Sequence, residues 1–453
     1  METRGRRKRA AAARDRLSNL PDCLLQGVLS QLRSPQVVQM SALSRRWRHL
    51  WRAVPCIHID SADFPIQIVE DSEPESSSEQ DDDDRNSEAD WCVRDQRLFE
   101  AEEDALAKLA DFADNLLFHR SLSGEALDTL RLRIHRQDDG RRHGSNDTDM
   151  ISRWIRRGLR LSPAAVDITI DGVRMRQPSY FSNAGACFRR LAKLRIDNVL
   201  LSRNIEHLFG TDSLPALQDL EIRNSGLGYI VSDTLRNLTA VYDSPVIAHR
   251  CDVFGHIAAP GLVSLRLEFP LARLPNLDIT IGELPCLANA SIRLLDETPQ
   301  PLYWDGHDKD KPDTTRLVIT NLCDLLGSLC NVTSLHLSGF QEMARTHAVL
   351  LQAVLDEPSF VFPDLKSLVL DDCKLGDGLQ TLWHLLHNTP TLERLALKSC
   401  KWREDPYARK SDEEKDLETA TMATNLKLVQ IIHGNNKLRS KIKQKLPWAT
   451  ITK

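Results

Sequence analysis

Residues 191–198 read LAKLRIDN and residues 217–224 read LQDLEIRN, so one short phrase occurs twice in near-register. Several neighbouring copies are about 25–27 residues apart, although an insertion around 299–313 lengthens one interval. This regularity indicates a repeat architecture rather than a series of unrelated domains. Further copies begin at Leu127, Leu262, Val332, Leu365 and Leu392, with weaker ones at 166–170 and 287–292.

The phrase has the alternation of a short β-strand, because its apolar residues recur at every second position. One repeat can bury that apolar face only against its neighbours, so the copies are expected to stack. Their spacing is typical of leucine-rich repeats. We therefore expect an α/β fold in which a curved parallel sheet carries helices or irregular segments on its convex side. Asn198 and Asn224 match the Asn/Cys position of such repeats, and Cys373 and Cys400 resemble its Cys-containing variant one residue later.

The rest of the chain divides by composition. The acidic stretch around 70–90 has almost no apolar residues and cannot offset the entropy of folding, so it is expected to be disordered. Apolar residues at helical spacing predict an amphipathic helix over 95–119. In chain order we expect a basic disordered tail (1–13), an N-terminal helical module (14–60), an acidic linker (61–94), a helical connector with the first repeat (95–160), the solenoid (161–425) and a C-terminal tail (426–453).

Helix signals divide the N-terminal module, residues 14–60, into three short helices. Ser18 and Asn19 are candidate caps before Pro21, Ser34 begins a second helix, and Ser44 is placed to cap a third. The module carries more large apolar side chains than so small a core can bury. Part of its surface should therefore contact a partner protein, a second copy of the chain or the chain's own repeats.

The run LSNLPDCLL at 17–25, followed by VLSQL and ALSRRWRHLW, closely resembles the F-box of plant F-box/leucine-rich-repeat proteins, the F-box/FBD/LRR type in particular. The C-terminal FBD segment matches poorly, so we expect it to be degenerate or missing. The resemblance implies that the module binds the adaptor subunit of an SCF-type cullin–RING ubiquitin ligase. The chain would then be the substrate-recognition subunit, with the repeats binding a protein substrate.

The resemblance also implies which residues contact the adaptor. The module departs from the usual pattern at Cys23, Gln31 and Gln39–Met40, and these departures are expected to weaken adaptor binding without abolishing it. The adaptor-binding residues carried over from the family are Leu20, Pro21, Leu24, Leu25, Leu29, Leu43, Ser44, Trp47 and Trp51.

Residues between the repeat leucines should face outward and line the concave side of the sheet. Arginine recurs there at positions 131, 195 and 266, which suggests an electropositive stripe for an acidic or phosphorylated segment of a substrate. For each residue, a solvated surface without a partner is the alternative. The candidate substrate-binding residues are Arg131, Lys193, Arg195, Glu221, Arg223, Arg266 and His336.

Composition and motifs argue against several other classes of protein. A net charge of −5 does not support a general nucleic-acid role, and the apolar runs are too short to span a bilayer. The basic start lacks the apolar core of a signal peptide, so we expect a nuclear or cytoplasmic protein. Walker, GxSxG, HExxH and zinc-ligand patterns are absent from the sequence, so an enzyme, a metal site or a cofactor is not expected.

Two further points concern the state of the cysteines and the alternative to a role in a ubiquitin ligase. The ten cysteines form no CxxC pair and are interpreted as buried, reduced thiols rather than as a secretory disulfide framework. The chain could also be a scaffold outside any ligase, with a degenerate F-box and repeats that serve only as an interaction surface.

Overall fold

The computed structural model describes residues 20–67, 86–135, 145–171, 188–199, 213–243, 254–271, 274, 277–295, 314–341, 350–355, 361–377, 379–403, 425–433 and 436–452. The chain divides into two compact units, Met1–Leu191 and Ala192–Lys453, called here the first and second unit. The expected basic tail and most of the acidic linker lie outside the described residues. Within the described residues, no helix is both long and apolar enough to cross a membrane.

Short helices form the N-terminal module, as the capping signals predict. They are α1 (Asp22–Leu29), α2 (Ser34–Met40) and α3 (Trp47–Leu50), followed by a 3-10 turn at Trp51–Ala53. Helix α1 begins directly after Pro21, whose fixed φ suits a helix start. The Ser44 hydroxyl accepts a hydrogen bond from the Trp47 backbone N–H at 3.4 Å, although the N-cap position of α3 is occupied by Arg46, whose side chain makes no cap hydrogen bond.

The rest of the first unit is a parallel sheet with two connecting helices. Strand β1 (Cys56–Asp60) pairs with β2 (Thr129–His135), and β2 pairs with β3 (Ala165–Asp171). Helix α4 (Asn86–Ser121) runs between β1 and β2, and α5 (Ser145–Leu159) runs between β2 and β3. The module thus ends in a strand of the sheet, and it shares this first unit with the first two repeats.

Helix α4 corrects the predicted boundary between linker and connector. The linker was expected to extend to residue 94, but the helix begins at Asn86. The sequence from 86 to 94 contains neither proline nor glycine. Glu88 and Asp90 stand near the start of this helix, where acidic residues are favourable for the helix dipole.

In the second unit, the repeats supply the strands of one large parallel sheet. The large sheet pairs in the order β4-β5-β7-β9-β11-β12-β13-β15-β17-β18, while β10-β8-β6 and β14-β16 form smaller parallel sheets. The strands are β4 (Lys193–Asp197), β5 (Asp219–Arg223), β6 (Gly228–Val231), β7 (Asn237–Val241), β8 (Phe254–Ala258), β9 (Ser264–Pro270), β10 (Asp278–Ile281), β11 (Asn289–Leu295), β12 (Ser334–Ser338), β13 (Ser367–Asp371), β14 (Lys374–Asp377), β15 (Arg394–Lys398), β16 (Lys401–Arg403), β17 (Leu428–Ile432) and β18 (Thr450–Thr452).

The leucine phrase gives these strands the alternation that the sequence predicts. In β5, Leu220 and Ile222 are buried, whereas Asp219, Glu221 and Arg223 between them remain partly exposed. The same pattern recurs in β4, β13 and β15. Because the registers align leucine with leucine from strand to strand, the apolar side chains form one continuous core. We call the opposite side of the large sheet its open face.

A repeated hydrogen-bond pattern fixes where each strand begins. The Ala192 carbonyl accepts bonds from two successive backbone N–H groups of the next repeat, at Gln218 and Asp219. The Thr333 carbonyl does the same for Lys366 and Ser367. We call this series the entry ladder; it fixes the register whatever the number of residues between two strands.

A second repeated pattern lies where the strands end. The residue directly after β4, β5, β12, β13, β15 and β17 has a positive φ, and at Asn198 and Asn224 it is the predicted Asn of the repeat. Asparagine tolerates this left-handed conformation better than most residues. The backbone N–H of Asn224 donates to the Val241 carbonyl at the end of the next strand, at 2.8 Å. The Asn224 amide also donates to Asp243 at 2.8 Å.

Helices and irregular segments connect the strands of the second unit. The helices are α6 (Thr314–Gly327), α7 (Leu350–Leu355), α8 (Gln380–His387) and α9 (Asn436–Lys445). The prediction of a separate C-terminal tail is wrong, because residues 426–453 supply β17, α9 and β18 to the repeat body. Its apolar residues Val429, Ile431 and Ile442 are buried, and Leu426, Val429 and Ile431 have the spacing of the repeat phrase with valine and isoleucine in place of leucine.

Candidate functional site

The N-terminal module has a small sealed core. Leu25 and Leu29 are 0% and 1% exposed, and they pack with Val37, Trp47 and Leu50. Leu25, Leu29 and most of Trp47 therefore support the module from inside, although the resemblance places them in the adaptor contact. They can shape a binding surface, but their side chains offer little area to a partner.

Other apolar side chains of the module project into solvent. Leu24 and Val28, one turn apart on α1, are 54% and 50% exposed, and Leu43 is 65% exposed. Pro21 and Ser44 are also exposed, while Leu20 and Trp51 are half-buried. Val28 was absent from the predicted contact set, although its spacing from Leu24 gave the signal. Together Leu24, Val28 and Leu43 are named here the apolar patch.

Arg46 fixes the relative position of the two segments that carry this patch. Its guanidinium donates to the Leu20 carbonyl and forms an ion pair with Asp22 at 2.6 Å. The turn that contains Leu43 is therefore held against the start of α1. Three exposed apolar side chains held on one rigid module are a geometry typical of a protein-binding surface.

A buried arginine joins the module to the rest of the first unit. Arg120, near the end of α4, is only 2% exposed. It donates to the Arg52 carbonyl at 2.6 Å, to the Ser123 hydroxyl at 2.6 Å and to the Ala126 carbonyl at 3.3 Å. Burial lowers the pKa of Arg120, although Glu125 and Asp128 oppose the shift. The module is thus anchored through its last turn.

On the sheet of the first unit, the predicted substrate residue Arg131 is already engaged. Its Nε lies 3.4 Å from a carboxylate oxygen of Asp167, which also lies 3.6 Å from Arg133. Its Nη1 lies 3.0 Å from Nε2 of His58. Burial, together with the charges of Arg131 and Arg133, lowers the pKa of His58. A neutral imidazole therefore accepts this hydrogen bond.

The prediction of an electropositive stripe is wrong for the second unit, because neighbouring carboxylates neutralise the arginines. Arg195 pairs with Asp197 at 3.4 Å and with Glu221 at 3.5 Å. Arg223 binds the same Glu221 at 2.6 Å, and the Arg266 Nε donates to Glu268 at 2.6 Å. These acids stand two residues along the same strand or on the adjacent one, so the face from β4 to β9 is charge-balanced.

The remaining two predicted substrate residues also have carboxylate neighbours. Lys193 lies 3.0 Å from Asp219, and His336 Nε2 lies 4.0 Å from Asp371. Burial lowers the pKa of His336 more than Asp371 raises it. This side chain is therefore neutral near pH 7 and adds no positive charge to the open face.

The cysteines are free thiols wherever the structure describes their side chains, but they are not uniformly buried as predicted. Cys23 and Cys286 are exposed, whereas Cys373 is fully buried. The thiol of Cys373 donates to the carbonyls of Leu337 and Asp371 at 3.5 and 3.3 Å. Among the described residues no group of His, Cys, Asp and Glu is placed to hold a metal ion.

Thiol labelling should separate these two classes of cysteine. Burial raises the pKa of Cys400 to about 11 and that of Cys373 further still, so neither forms the reactive thiolate near pH 7.5. Iodoacetamide followed by peptide mapping should modify Cys23 and Cys286 in the native protein, and Cys373 and Cys400 only in denaturant. Rapid native labelling of Cys373 would contradict this burial.

Comparison with known proteins gives the same organisation. The F-box domain family matches residues 17–58. The "MEIOTIC F-BOX protein MOF" of Oryza sativa subsp. japonica is 32% identical over 438 residues, which span 92% of this chain and 80% of the rice protein. An FBD-associated F-box protein and F-box/LRR-repeat protein 13, both of Arabidopsis thaliana, are 50% identical over 58 residues and 54% identical over 50 residues. These shorter matches cover 13% and 11% of either chain. The chain therefore belongs to the plant F-box proteins of the F-box/LRR-repeat type.

Proposed function

We propose that this chain is the substrate receptor of an SCF-type cullin–RING ubiquitin ligase. The F-box would bind the adaptor subunit, and the open face of the repeats would bind the protein to be ubiquitinated. In this arrangement the chain performs no chemistry itself. It raises the local concentration of the substrate near the catalytic arm that the adaptor and the cullin carry.

The apolar patch is the observation that carries this proposal. An F-box binds an adaptor subunit, and here Leu24, Val28 and Leu43 stay exposed although the module has its own sealed core. Leaving such side chains in water is unfavourable by roughly 25 cal/mol for each Å² of apolar surface. A partner that covers the patch removes that cost. We propose Leu24, Val28 and Leu43 as the direct anchors, with Leu25, Leu29 and Trp47 holding them in place.

Replacing Leu24 or Val28 by aspartate should weaken adaptor binding at least about 30-fold, which corresponds to a hot-spot loss of about 2 kcal/mol. A carboxylate cannot be buried against an apolar partner without a counter-charge. Both positions are exposed, so the variants should unfold at the wild-type temperature. Titration of the full chain with purified adaptor subunit gives the affinity, and circular dichroism gives the melting temperature.

Val231→Asp is the matched control, because Val231 is 49% exposed on β6 of the repeat body and lies outside the F-box. It introduces the same charge at equal exposure and should leave adaptor affinity unchanged. Adaptor affinity that survives both Leu24→Asp and Val28→Asp would remove the proposal and favour an interaction scaffold outside the ligase.

The Leu24→Asp variant can also be used to identify the substrate. Leu24→Asp should retain the substrate on the repeats but prevent its ubiquitination, so the substrate accumulates on the receptor. The rice relative is named for meiosis, and we therefore propose meiotic tissue as the first place to compare proteins captured by wild type and Leu24→Asp. Proteins enriched on the variant and lacking ubiquitin are the candidate substrates.

A further inference from the structure

The open face of the second unit changes character between its two ends. From β4 to β9 it carries long side chains held in ion pairs, such as Arg195 with Glu221. On β13 and β15 the central positions hold smaller residues, Val369 and Ala396. The result is a hollow of about 470 Å³ across these strands. It is lined by Asn289, Thr333, Ser334, Lys366, Ser367, Val369, Arg394, Leu395, Ala396, Lys398, Leu428 and Gln430.

The charged residues that line this hollow are all cationic. Lys366, Arg394 and Lys398 line it, and no aspartate or glutamate is among the lining residues. Arg394 and Lys398 stand two positions to either side of Ala396 on β15, so both side chains rise from the same face. Within the part of the chain that the structure describes, none of the three cations has an ion-pair partner.

Two carboxylates stand near the hollow, those of Glu393 and Asp371. The Glu393 carboxylate is bound by Lys427 at 3.1 Å. Asp371 stands in register with Lys398 on the sheet, and its carboxylate lies 4.0 Å from Nε2 of His336. Arg195, Arg223 and Arg266 each have a carboxylate closer than that. Besides the hydrogen bond from Lys427, the charges of Lys366 and Arg394 also lower the pKa of Glu393, so part of their charge is compensated. With three cations on its lining, the hollow still has an excess of positive charge, whereas the face from β4 to β9 is charge-balanced.

Neutral donors complete the lining. Ser334 and Ser367 stand in register on β12 and β13, and both line the hollow. Cationic side chains combined with hydroxyl donors are the groups that bind phosphate oxygens with charge-assisted hydrogen bonds. The carboxylate of aspartate or glutamate is smaller than a phosphate group and carries about half its charge, so it would accept hydrogen bonds from fewer of these donors.

We propose that this hollow binds a phosphorylated serine or threonine side chain on an extended segment of the protein substrate. The proposal rests on the receptor function above and names the chemical class that the receptor selects. Arg394 and Lys398 hold the phosphate from two sides, and Lys366 with the two serine hydroxyls completes its coordination. The shallow, open form of the site suits a segment lying across the strands.

The test uses the full chain and three immobilised peptide libraries, which carry a central phosphoserine, a central serine and a central glutamate in otherwise randomised sequence. We expect at least tenfold more protein to bind the phosphoserine library than the serine library. The double variant Arg394→Gln/Lys398→Gln should lose most of this preference. Lys401→Gln/Lys443→Gln removes the same charge from exposed positions outside the hollow and should retain it.

Three results would overturn the inference: equal binding to the phosphoserine and serine libraries, a preference unchanged in the Arg394→Gln/Lys398→Gln variant, or tighter binding to a single-stranded RNA oligomer that the same variant abolishes. The adaptor titration distinguishes this inference from the receptor function. The hollow variants should bind the adaptor as wild type does, so normal adaptor affinity without phosphopeptide selectivity removes only the inference. Phosphopeptide selectivity without adaptor binding removes only the ligase role.

Discussion

Alanine in place of Gly339 should lower the free energy of unfolding of the repeat body by about 3–5 kcal/mol, the range expected when backbone strain and overpacking add. Gly339 follows β12 with a φ of 76°. A Cβ atom there would lie 2.0 Å from the carbonyl oxygen of Leu294 on the neighbouring strand. Backbone cannot move aside as a flexible side chain can, so either the turn or the pairing of β11 with β12 must break.

Gly228→Ala provides the matched control for this prediction. Gly228 also has a positive φ, 61°, but no atom lies within 4 Å of the position its Cβ would take. It should therefore show only the conformational strain of a left-handed residue, about 1–2 kcal/mol. Urea unfolding gives the stabilities, and hydrogen exchange should localise the loss to β11 and β12. Equal losses in the two variants would contradict the close approach at Gly339.

Replacing Arg120 by methionine should destabilise the first unit by about 3 kcal/mol, because several buried acceptors would lose their donor. The Arg52 and Ala126 carbonyls and the Ser123 hydroxyl all receive their hydrogen bonds from this guanidinium. Methionine keeps an unbranched apolar side chain in place of the arginine stem, so the loss reports the removal of the guanidinium. Hydrogen exchange should increase at the end of α3 and at the end of α4.

Arg153→Met is the control in the same unit. Arg153 pairs with Asp114 at 3.0 Å, but its side chain is 49% exposed, and solvent screening makes such pairs weak. Its removal should leave the unfolding curve nearly unchanged. If Arg120→Met and Arg153→Met unfold alike, the buried guanidinium does not anchor the module.

The sequence predicted the repeat strands well because their signal is local. Leu220 and Ile222 are buried for the same reason that they are recognisable, since alternation follows from the pleat of the strand itself. Strand β17 was missed although Leu426, Val429 and Ile431 keep the spacing of the phrase, because valine and isoleucine replace its second and third leucines. Helix α4 begins before the apolar pattern that predicted it, because residues 86–94 contain no proline or glycine and place acidic residues near its N-terminus.

The sites were harder to predict because they depend on which elements meet. Leu24 and Leu25 are equally apolar, yet one is exposed and the other buried, and the packing of α2 and α3 makes the difference. From the sequence, Arg195 was predicted to belong to an electropositive stripe, but the strand register places Glu221 of the next repeat beside it. Conversely, Arg394 and Lys398 were recognisable as outward-facing residues, but only the structure shows that no described carboxylate forms an ion pair with them.

The entry ladder makes the length of a connection and the position of a strand independent of each other. Ser334 and Ser367 stay directly paired although the chain between β12 and β13 is longer than between β13 and β15. Lengthening a flexible loop twofold costs only about 0.6 kcal/mol in closure entropy. Insertions and deletions can therefore accumulate in the connections of related genes while the open face keeps its geometry, so specificity can diversify by point substitution on a constant frame.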